Sequence, residues 1–366
     1  MIVTIVVPFL THTGGIQVAA EYARALEERG HRARIYAPFL PYRFGDRLTR
    51  LAGLRRWLGD ARLNARRRAR VRWRYEGRAH PVEVHLVPWI AAPFLPPADA
   101  ILATAWPTAY SVARLPRSRG AGLYLIQHHE TWSGSAERVE GSYRLPLRRV
   151  AIASWLAQLL DGLDTPVTAT ITNGVDTEFF TPSPRGRRRS PAVPPTVLMQ
   201  YHHLPWKGLS DGFAAWEIVR ARVPSARLVL FGATAPPSLP PDATFHLRPA
   251  RAAIRDLYRT CDVFVSPSWA EGCQLPPMEA MASGCAVVAT NVGGIPDYGV
   301  AGQTVRVVEP HDPAGVADAV VALLTDAPAR ERLAAAGHAH IQRYSWDGAA
   351  AAMERVMYDA LKEVSQ

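Results

Sequence analysis

The stretch DVFVSPSWAEGCQLPPMEAMASGCAVVATNVGGIPDY, Asp262 to Tyr298, decides the fold. Its first residues are apolar and small in an order that favours a buried β-strand. Two prolines then open a predicted helix from about Met278, Gly284 is placed to end that helix, and Ala286 to Thr290 reads as the next strand. A strand, a loop, a helix and a strand in this order are typical of a parallel α/β sheet.

Two carboxylates follow the first predicted strand of this unit, where an α/β sheet binds its ligands. We expect Glu271 in the loop beyond the strand and Glu279 in the first turn of the helix. In an open α/β sheet, a phosphorylated ligand binds there because backbone N–H groups of the helix N-terminus point outward. A carboxylate instead accepts hydrogen bonds from hydroxyls, which suits a ligand with both phosphate and sugar. From spacing alone, a helix-dipole role for Glu279 and a solvated loop role for Glu271 remain equally open.

The pattern S-x-S-x-x-E-G-x-x-x-P-x-x-E-A-M-A-x-G resembles the signature of the family 4 retaining glycosyltransferases. The resemblance implies an α/β protein of GT-B fold, in which two Rossmann-like parallel-sheet domains face a central cleft and a C-terminal helix crosses back to the first domain. The agreeing residues, besides the two glutamates, are Ser266, Gly272, Pro276, Ala280 and Gly284.

The resemblance also implies roles for residues. Glu271 contacts the donor sugar and counts as catalytic, while Glu279 contacts the ribose of the nucleotide. The family commonly has Phe-Gly where this chain has Cys273 and Gln274, so the donor-sugar pocket departs from the usual pattern. The implied donor-binding set is Gly14, Gly15, His202, Lys207, Gly272, Cys273, Gln274, Leu275 and Glu279.

The turn YHHLPWKG supplies the expected diphosphate contacts of the second domain. Lys207 matches the family lysine, but His202 stands where the family usually has an arginine. A neutral imidazole neutralises less phosphate charge than a guanidinium. Either His202 is protonated in the complex, or another arginine such as Arg251 reaches the diphosphate. The alternative for Lys207 is an ordinary surface lysine.

In the first domain, Gly14 and Gly15 follow the first strand and let a ligand approach the backbone at a helix N-terminus. The run IQHHETW places His128, His129 and Glu130 at the carboxyl end of another strand. No third ligand with metal spacing accompanies the two histidines, so we predict no metal site. The resemblance implies that His129 is a catalytic residue that positions the donor sugar.

Length and pattern predict two domains. At 366 residues, each domain can bury its own core. We expect a first domain over 1–180, a proline-rich linker over 181–195, a second domain over 196–345, and a C-terminal helix, 346–366, that packs back on the first domain. Within the first domain, Leu147 to Leu160 reads as a helix.

The net charge of +10 is unevenly distributed, because the first 173 residues carry 24 Arg, no Lys and 13 acidic residues. Twelve of these arginines lie between Arg47 and Arg78, at a spacing that predicts amphipathic helices with a basic face. Such a face docks on anionic membranes, or it is an ordinary solvated surface. The three cysteines and the lack of a signal-like N-terminus predict a cytoplasmic protein, peripheral at the membrane's inner face if that docking occurs.

The predicted function is retaining, metal-independent transfer of a hexose from a nucleotide-diphosphate sugar to a hydroxyl acceptor, which is a glycan, a lipid-linked glycan or a small molecule. The donor is a substrate, so no cofactor is expected. Two alternatives remain: a nucleotide-sugar epimerase of GT-B fold, and a non-enzymatic protein that binds an anionic polymer or a membrane surface through the Arg-rich segment. Nucleic-acid binding is not expected, because no groove-reading module is recognisable.

Overall fold

The computed structural model describes residues 1–10, 13–42, 59, 62, 82–183 and 193–364. By its internal contacts the chain forms two compact units. Unit 1 comprises Met1–Asn173 together with Trp346–Gln366, and unit 2 comprises Gly174–Ser345. The C-terminal segment therefore belongs to the first unit and not to the second, which precedes it in sequence.

The described part of unit 1 contains a parallel sheet of seven strands in the order β3-β2-β1-β4-β5-β6-β7. The strands are short and mostly buried, as the apolar runs of the sequence predict for a sheet covered on both faces. Their bounds are β1 Ile2–Val6, β2 Arg32–Pro38, β3 Glu83–Val87, β4 Ala100–Ala103, β5 Ala121–Ile126, β6 Arg148–Ala151 and β7 Ala169–Thr170.

The described helices of unit 1 correct one prediction. Leu147 to Leu160 is not a single helix, because Arg148–Ala151 pairs with β5 and β7 as a strand before the helix begins. The apolar run suits either state, and the open edge of β5 selects the strand. The helices are α1 Gly14–Glu28, α2 Trp106–Ala113, α3 Ala136–Tyr143, α4 Ser154–Asp161 and the C-terminal α11 Trp346–Val364, with 3₁₀ turns at Ala92–Phe94 and Arg117–Arg119.

Unit 2 is built around a second parallel sheet, in the order β10-β9-β8-β11-β12-β13. Its strands are β8 Thr196–Tyr201, β9 Arg227–Gly232, β10 Thr244–Leu247, β11 Val263–Ser266, β12 Ala286–Thr290 and β13 Arg306–Val308. Its helices are α5 Leu209–Arg222, α6 Arg251–Thr260, α7 Leu275–Ala282, α8 Ile295–Tyr298, α9 Pro313–Thr325 and α10 Ala327–Ile341, with a 3₁₀ turn at Pro205–Lys207.

The core of unit 2 lies between this sheet and the helices α5, α9 and α10. Trp216 is buried there among branched aliphatic side chains of β8, β9 and β11. Burial of so large a side chain removes much apolar surface from water, at roughly 25 cal/mol per Å². This packing keeps the strands rigid, and the loops at their carboxyl ends are built on that support.

Helix α11 packs against α1 and β5 in unit 1, as expected for the C-terminal helix. Trp346 is buried and contacts the ring of Tyr22 edge to face, at 5.5 Å between centroids. At the end of α1, the Arg29 guanidinium donates to Glu354 at 2.7 and 3.0 Å and to Asp347 at 2.8 Å. Arg29 thus joins two turns of α11 to the C-terminal end of α1.

Two predictions fall on residues outside the described ranges. The Arg-rich segment Arg47 to Arg78 lies almost wholly there, so its helices and its membrane docking stay predictions. Most of the predicted linker, 181–195, lies there as well. Among the described residues, no helix is both long enough and apolar enough to cross a membrane.

We expect Arg29→Ala to loosen α11 and to lower the melting temperature of unit 1 by roughly 2–4 °C, the change that about 1 kcal/mol produces in a domain of this size. Hydrogen bonding from Arg29 is the main cause that lowers the pKa of Glu354 below its usual 4.5. A carboxyl with a lowered folded-state pKa stabilises above its unfolded pKa, and that contribution is lost on acidification. The difference between wild type and variant should therefore shrink below about pH 4.5.

Thermal unfolding from pH 3 to 7 measures this effect. Arg220→Ala is the control, because Arg220 forms an exposed pair with Glu217 inside one helix and should shift the melting temperature little. Equal effects of the two substitutions at pH 7 would contradict a linking role for Arg29.

Candidate functional site

The site of unit 2 lies where the strand order reverses. From β8 the chain proceeds outward through β9 and β10, and it then returns to place β11 on the other side of β8. The loops after β8 and β11 must diverge at this point, which leaves a crevice at the carboxyl ends of the two strands. Lys207 belongs to the loop after β8, and Glu271 belongs to the loop after β11.

These two side chains form an ion pair. The Lys207 ammonium donates to both carboxylate oxygens of Glu271, at 2.7 Å to Oε1 and 2.8 Å to Oε2. The Ser268 hydroxyl also donates to Glu271 Oε1, at 2.8 Å. Both members of the pair are partly buried, so the charges attract each other more strongly than at a fully exposed surface. The structure therefore brings together the predicted cation and one predicted acid.

A backbone contact fixes the position of Lys207. The next residue, Gly208, has φ +64°, a conformation that side chains rarely adopt. A Cβ at Gly208 would lie 1.8 Å from the carbonyl oxygen of Pro267, which is in the loop after β11. The backbone N–H of Trp269 also donates to the Trp206 carbonyl at 2.7 Å. The two loops are thus in direct contact, and only glycine permits it.

Helix α7 follows Glu271 and begins earlier than predicted. It runs from Leu275 to Ala282, so Glu279 lies beyond the first turn, and the prediction of a first-turn position was wrong. Prolines lack the N–H groups that a first turn leaves unbonded, so Pro276 and Pro277 fit inside the first turn instead of preceding the helix. Glu279 accepts a hydrogen bond of 3.3 Å from the Tyr258 hydroxyl.

The turn between Glu271 and α7 contains the departure from the family pattern. Gln274 takes the left-handed conformation at φ +62°, and its side-chain oxygen accepts from the Ser266 hydroxyl at 2.9 Å. This hydrogen bond offsets part of the cost of the conformation. Cys273 is buried against Gly294, where a Cβ would lie 3.0 Å from the thiol sulfur. Gly272 is buried as well, and Leu275 is partly buried.

His202 and Arg251 each have a hydrogen-bond partner within unit 2, and their binding of the diphosphate stays a prediction. Burial, the charge of Lys207 and the neighbouring His203 lower the pKa of His202 to about 4. Its Nδ1 accepts a hydrogen bond from the Leu204 N–H at 3.2 Å, which fits a neutral ring. Arg251 donates to Asp176 at 3.0 Å, so Lys207 is the predicted diphosphate cation that lies beside the predicted acid.

In unit 1, the strand order reverses between β1 and β4. Gly14 and Gly15 are the first two residues of α1, the helix that follows β1. The Gln127 side-chain amide donates to the Thr104 carbonyl at 3.1 Å and to the Gly15 carbonyl at 3.4 Å. Gln127 follows β5, so one side chain joins the loops at the ends of three strands. A Cβ at Gly15 would lie 3.4 Å from this amide, which leaves little room for a larger residue.

His129 and Glu130 both follow β5 and differ in environment. Nδ1 of His129 lies 3.1 Å from the Tyr143 hydroxyl, and burial lowers the pKa of this histidine. Glu130 accepts a hydrogen bond from the Trp106 N–H at 3.0 Å, at the start of α2. Burial nevertheless raises the pKa of Glu130 to about 7. The loop therefore presents one neutral imidazole and one carboxyl that titrates near neutral pH.

Sequence reasoning missed several polar residues that support these sites. Ser268 holds Glu271, and its place in the quoted pattern was a usable signal. Asp211 accepts the Trp269 indole N–H at 2.7 Å, and Gln127 joins three loops, but neither has a sequence signal because the partners lie far apart in the chain. Glu130 lay next to His129 in the predicted loop, yet its burial could not be deduced. In the described part of the chain, no group of three or more His, Cys, Asp or Glu is placed to hold a metal ion.

Comparisons with known proteins agree with this geometry. Residues 196–326 match the family profile "Glycosyl transferases group 1". A D-inositol 3-phosphate glycosyltransferase 2 from Catenulispora acidiphila is 30% identical over 288 residues, covering 70% of this chain and 66% of the relative. A D-inositol 3-phosphate glycosyltransferase from Corynebacterium diphtheriae is 42% identical over 104 residues, 28% of this chain and 24% of the relative. The chain thus spans from about a quarter to about two thirds of these curated relatives.

Solved structures share the fold of both units. A sucrose-phosphate synthase from Thermosynechococcus elongatus superposes with a TM-score of 0.73 over 99% of this chain and 100% of that chain, at 16% identity. HepE from Anabaena, solved in complex with UDP-glucose, gives 0.72 over 98% and 100%, at 17% identity. At such low identity these likenesses show the fold, which is the GT-B fold with its two Rossmann-like units.

We expect Gly208→Ala to destabilise unit 2 more than a positive φ alone explains. A left-handed conformation costs an ordinary residue roughly 1–2 kcal/mol, and a collision with fixed backbone adds on the order of 1–3 kcal/mol. Gly302→Ala is the matched control, because Gly302 has φ +74° and open space where a Cβ would stand. Urea unfolding of both variants measures the difference, and equal losses would contradict the loop contact.

Glu130→Gln should change the pH dependence of stability. A carboxyl with a raised folded-state pKa leaves the protein most stable below its unfolded pKa, and that stability is lost as pH rises from about 4.5 to about 7. The glutamine variant cannot ionise and keeps an acceptor for Trp106. It should therefore become more stable than wild type by pH 8, on the order of 1 kcal/mol.

Melting curves between pH 5 and 8 test this prediction. Glu137→Gln, at an exposed position of α3, is the control and should follow wild type. A constant difference between Glu130→Gln and wild type across this range would show that Glu130 titrates normally.

Proposed function

Since this chain belongs to the group 1 glycosyltransferases through its second unit, we propose that it moves a hexose from a nucleotide-diphosphate sugar to a hydroxyl acceptor. We place it in family 4, with retention at the anomeric carbon and no metal requirement. Unit 2 would bind the donor and unit 1 the acceptor. The relatives named above support the nucleotide-sugar donor, and the sequence pattern around Glu271 supports the family.

The observation that carries this proposal is the ion pair of Lys207 and Glu271 at the point where the strand order reverses. A donor of this class has a diphosphate next to a sugar. Lys207 can bind phosphate oxygens, and the Glu271 carboxylate can accept hydrogen bonds from sugar hydroxyls. Two groups of opposite charge within hydrogen-bond distance therefore match the two adjoining parts of one ligand.

Donor binding would separate this pair. Each charge of the pair satisfies the other, so the diphosphate must replace Glu271 as the partner of Lys207. The released carboxylate then accepts hydrogen bonds from the sugar. Backbone N–H groups at the start of α7 would add to the stabilisation of the diphosphate, and Glu279 would contact the ribose hydroxyls.

In the transfer, the bond between the anomeric carbon and the diphosphate oxygen breaks, and a bond to the acceptor oxygen forms on the same face of the sugar. The leaving diphosphate gains negative charge, which Lys207 stabilises more strongly than it does in the bound donor. The acceptor proton passes to a departing phosphate oxygen. His129, whose pKa burial lowers, would be a neutral hydrogen-bonding group beside the sugar.

Binding measurements separate the roles of the two residues. A panel of UDP-, GDP- and dTDP-sugars, with the matching nucleoside diphosphates, should raise the melting temperature of wild type through mass action. Lys207→Met should lose the response to both classes of compound. Glu271→Gln should lose the added affinity for the sugar but bind the bare nucleoside diphosphate as tightly or more tightly, because no carboxylate competes for Lys207.

Lys362→Met is the matched control, since these are the two lysines of the chain and Lys362 pairs with Asp359 on the surface of α11. It should respond as wild type does. A wild-type protein with no response to any nucleotide sugar would contradict the proposed function. For the compound that binds, NMR of the product reports the anomeric configuration, and activity after treatment with EDTA reports metal independence.

A further inference from the structure

Exposed aromatic side chains cluster at one edge of the unit 1 sheet. Among the described residues of this unit, the exposed large hydrophobic side chains are Phe39 at 42%, Trp89 at 60%, Trp132 at 48% and Tyr358 at 45%. Tyr358 lies on α11, but the other three follow the carboxyl ends of strands. We call Phe39, Trp89 and Trp132 the aromatic row.

The strand order sets the extent of the aromatic row. Phe39 directly follows β2, Trp89 comes two residues after β3, and Trp132 lies in the loop after β5. All these strands are parallel, so their carboxyl ends meet one edge of the sheet. β3 and β5 are four positions apart, which corresponds to about 19 Å at a strand spacing of roughly 4.8 Å. This is the length of several linked pyranose rings.

Neighbouring rings support two members of the row. Trp89 contacts Phe94 edge to face at 4.9 Å between centroids. Trp132 contacts His128 edge to face at 4.3 Å, and His128 in turn contacts Trp155 at 5.5 Å. Rings fixed in this way lose little conformational freedom when a ligand stacks on them. Trp89 and Trp132 are thus exposed to solvent while they pack against neighbouring rings.

Polar groups lie along the same edge, at the ends of the strands between β2 and β5. Gln127 and the Thr104 carbonyl lie at the reversal of strand order, and His129 and Glu130 follow β5. Every member of the row is aromatic, and no exposed large aliphatic side chain lies at this edge among the described residues. Insertion into lipid favours a continuous apolar surface, whereas separated aromatic planes with polar groups between them match rings that have apolar faces and hydroxyl rims.

We propose that the aromatic row binds a saccharide chain, with the C–H faces of successive pyranose rings stacked on Trp132, Phe39 and Trp89. The inference rests on the proposed function, because it makes this chain the acceptor of the transfer. The hydroxyl end of the saccharide lies at Trp132, three residues from His129. The acceptor class is thus an oligosaccharide or polysaccharide, and neither a free monosaccharide nor a lipid headgroup.

The test is direct binding of the full chain to a glycan array of defined oligosaccharides, each four to eight hexoses long. The array contains α- and β-linked glucans, galactans, mannans and rhamnans, and the corresponding monosaccharides. We expect binding to at least one oligosaccharide and much weaker binding to its monosaccharide. Trp89→Ala and Trp132→Ala should each weaken binding about tenfold, the effect of about 1.4 kcal/mol for one lost stacking contact. Trp132→Phe should retain most of the affinity.

Tyr358→Ala is the matched control, because its side chain is equally exposed in the same unit but lies away from the row. A loss of affinity in Tyr358→Ala equal to that in the row variants would overturn the proposal, as would a panel on which no oligosaccharide binds. Binding to phosphatidylglycerol vesicles that depends on Trp89 and Trp132, without saccharide binding, would also overturn it by assigning the row to a membrane.

The donor measurement distinguishes this proposal from the proposed function. Trp89→Ala should keep the full thermal response to the nucleotide sugar, because Trp89 follows β3, four strand positions from the β5 loop with His129, and Lys207 and Glu271 lie in unit 2. Saccharide binding in a wild-type chain that gives no nucleotide-sugar response would support the row and contradict the transferase. A nucleotide-sugar response without saccharide binding would have the opposite meaning.

Discussion

The ion pair of Lys207 and Glu271 is the interaction on which the candidate site depends, and it exists because two loops are forced together. Lys207 binds Glu271 next to Gly208, which lies so close to the Pro267 carbonyl that no side chain would fit there. The charges of the pair neutralise each other, which limits the cost of keeping them partly buried. A ligand that replaces Glu271 as the partner of Lys207 must supply a negative group of its own, which fits the proposed nucleotide-diphosphate donor.

In unit 1, neutral groups join the loops at the carboxyl ends of the strands. Where Lys207 and Glu271 join two loops by charge, Gln127 joins three loops through its amide. Glu130 is held by one backbone N–H, and its raised pKa shows that this single hydrogen bond does not offset its burial. The two sheets thus present different surfaces at equivalent edges: a charged one in unit 2, and a polar one with exposed aromatic rings in unit 1.

Much of the fold could be read from the sequence because parallel strands buried on both faces have a strong signal. Ala286–Thr290 was predicted to the residue. The error at Leu147 to Leu160 has a physical cause: the run RRVAIASW is compatible with either state, and pairing with β5 decided it. The start of α7 was misplaced for a local reason, because prolines were expected to precede the first turn and instead lie within it.

The sequence by itself determined the alternation of strands and helices. It also identified Glu271, Glu279, Lys207 and Gly208 as candidate site residues, because these depend on local pattern and on one dense motif. Only the tertiary structure decided that burial keeps His202 neutral, that Asp176 pairs with Arg251, and that three aromatic rings share one sheet edge. Each of these depends on residues far apart in the chain, and the strand order that brings them together follows from long-range packing that no local pattern encodes.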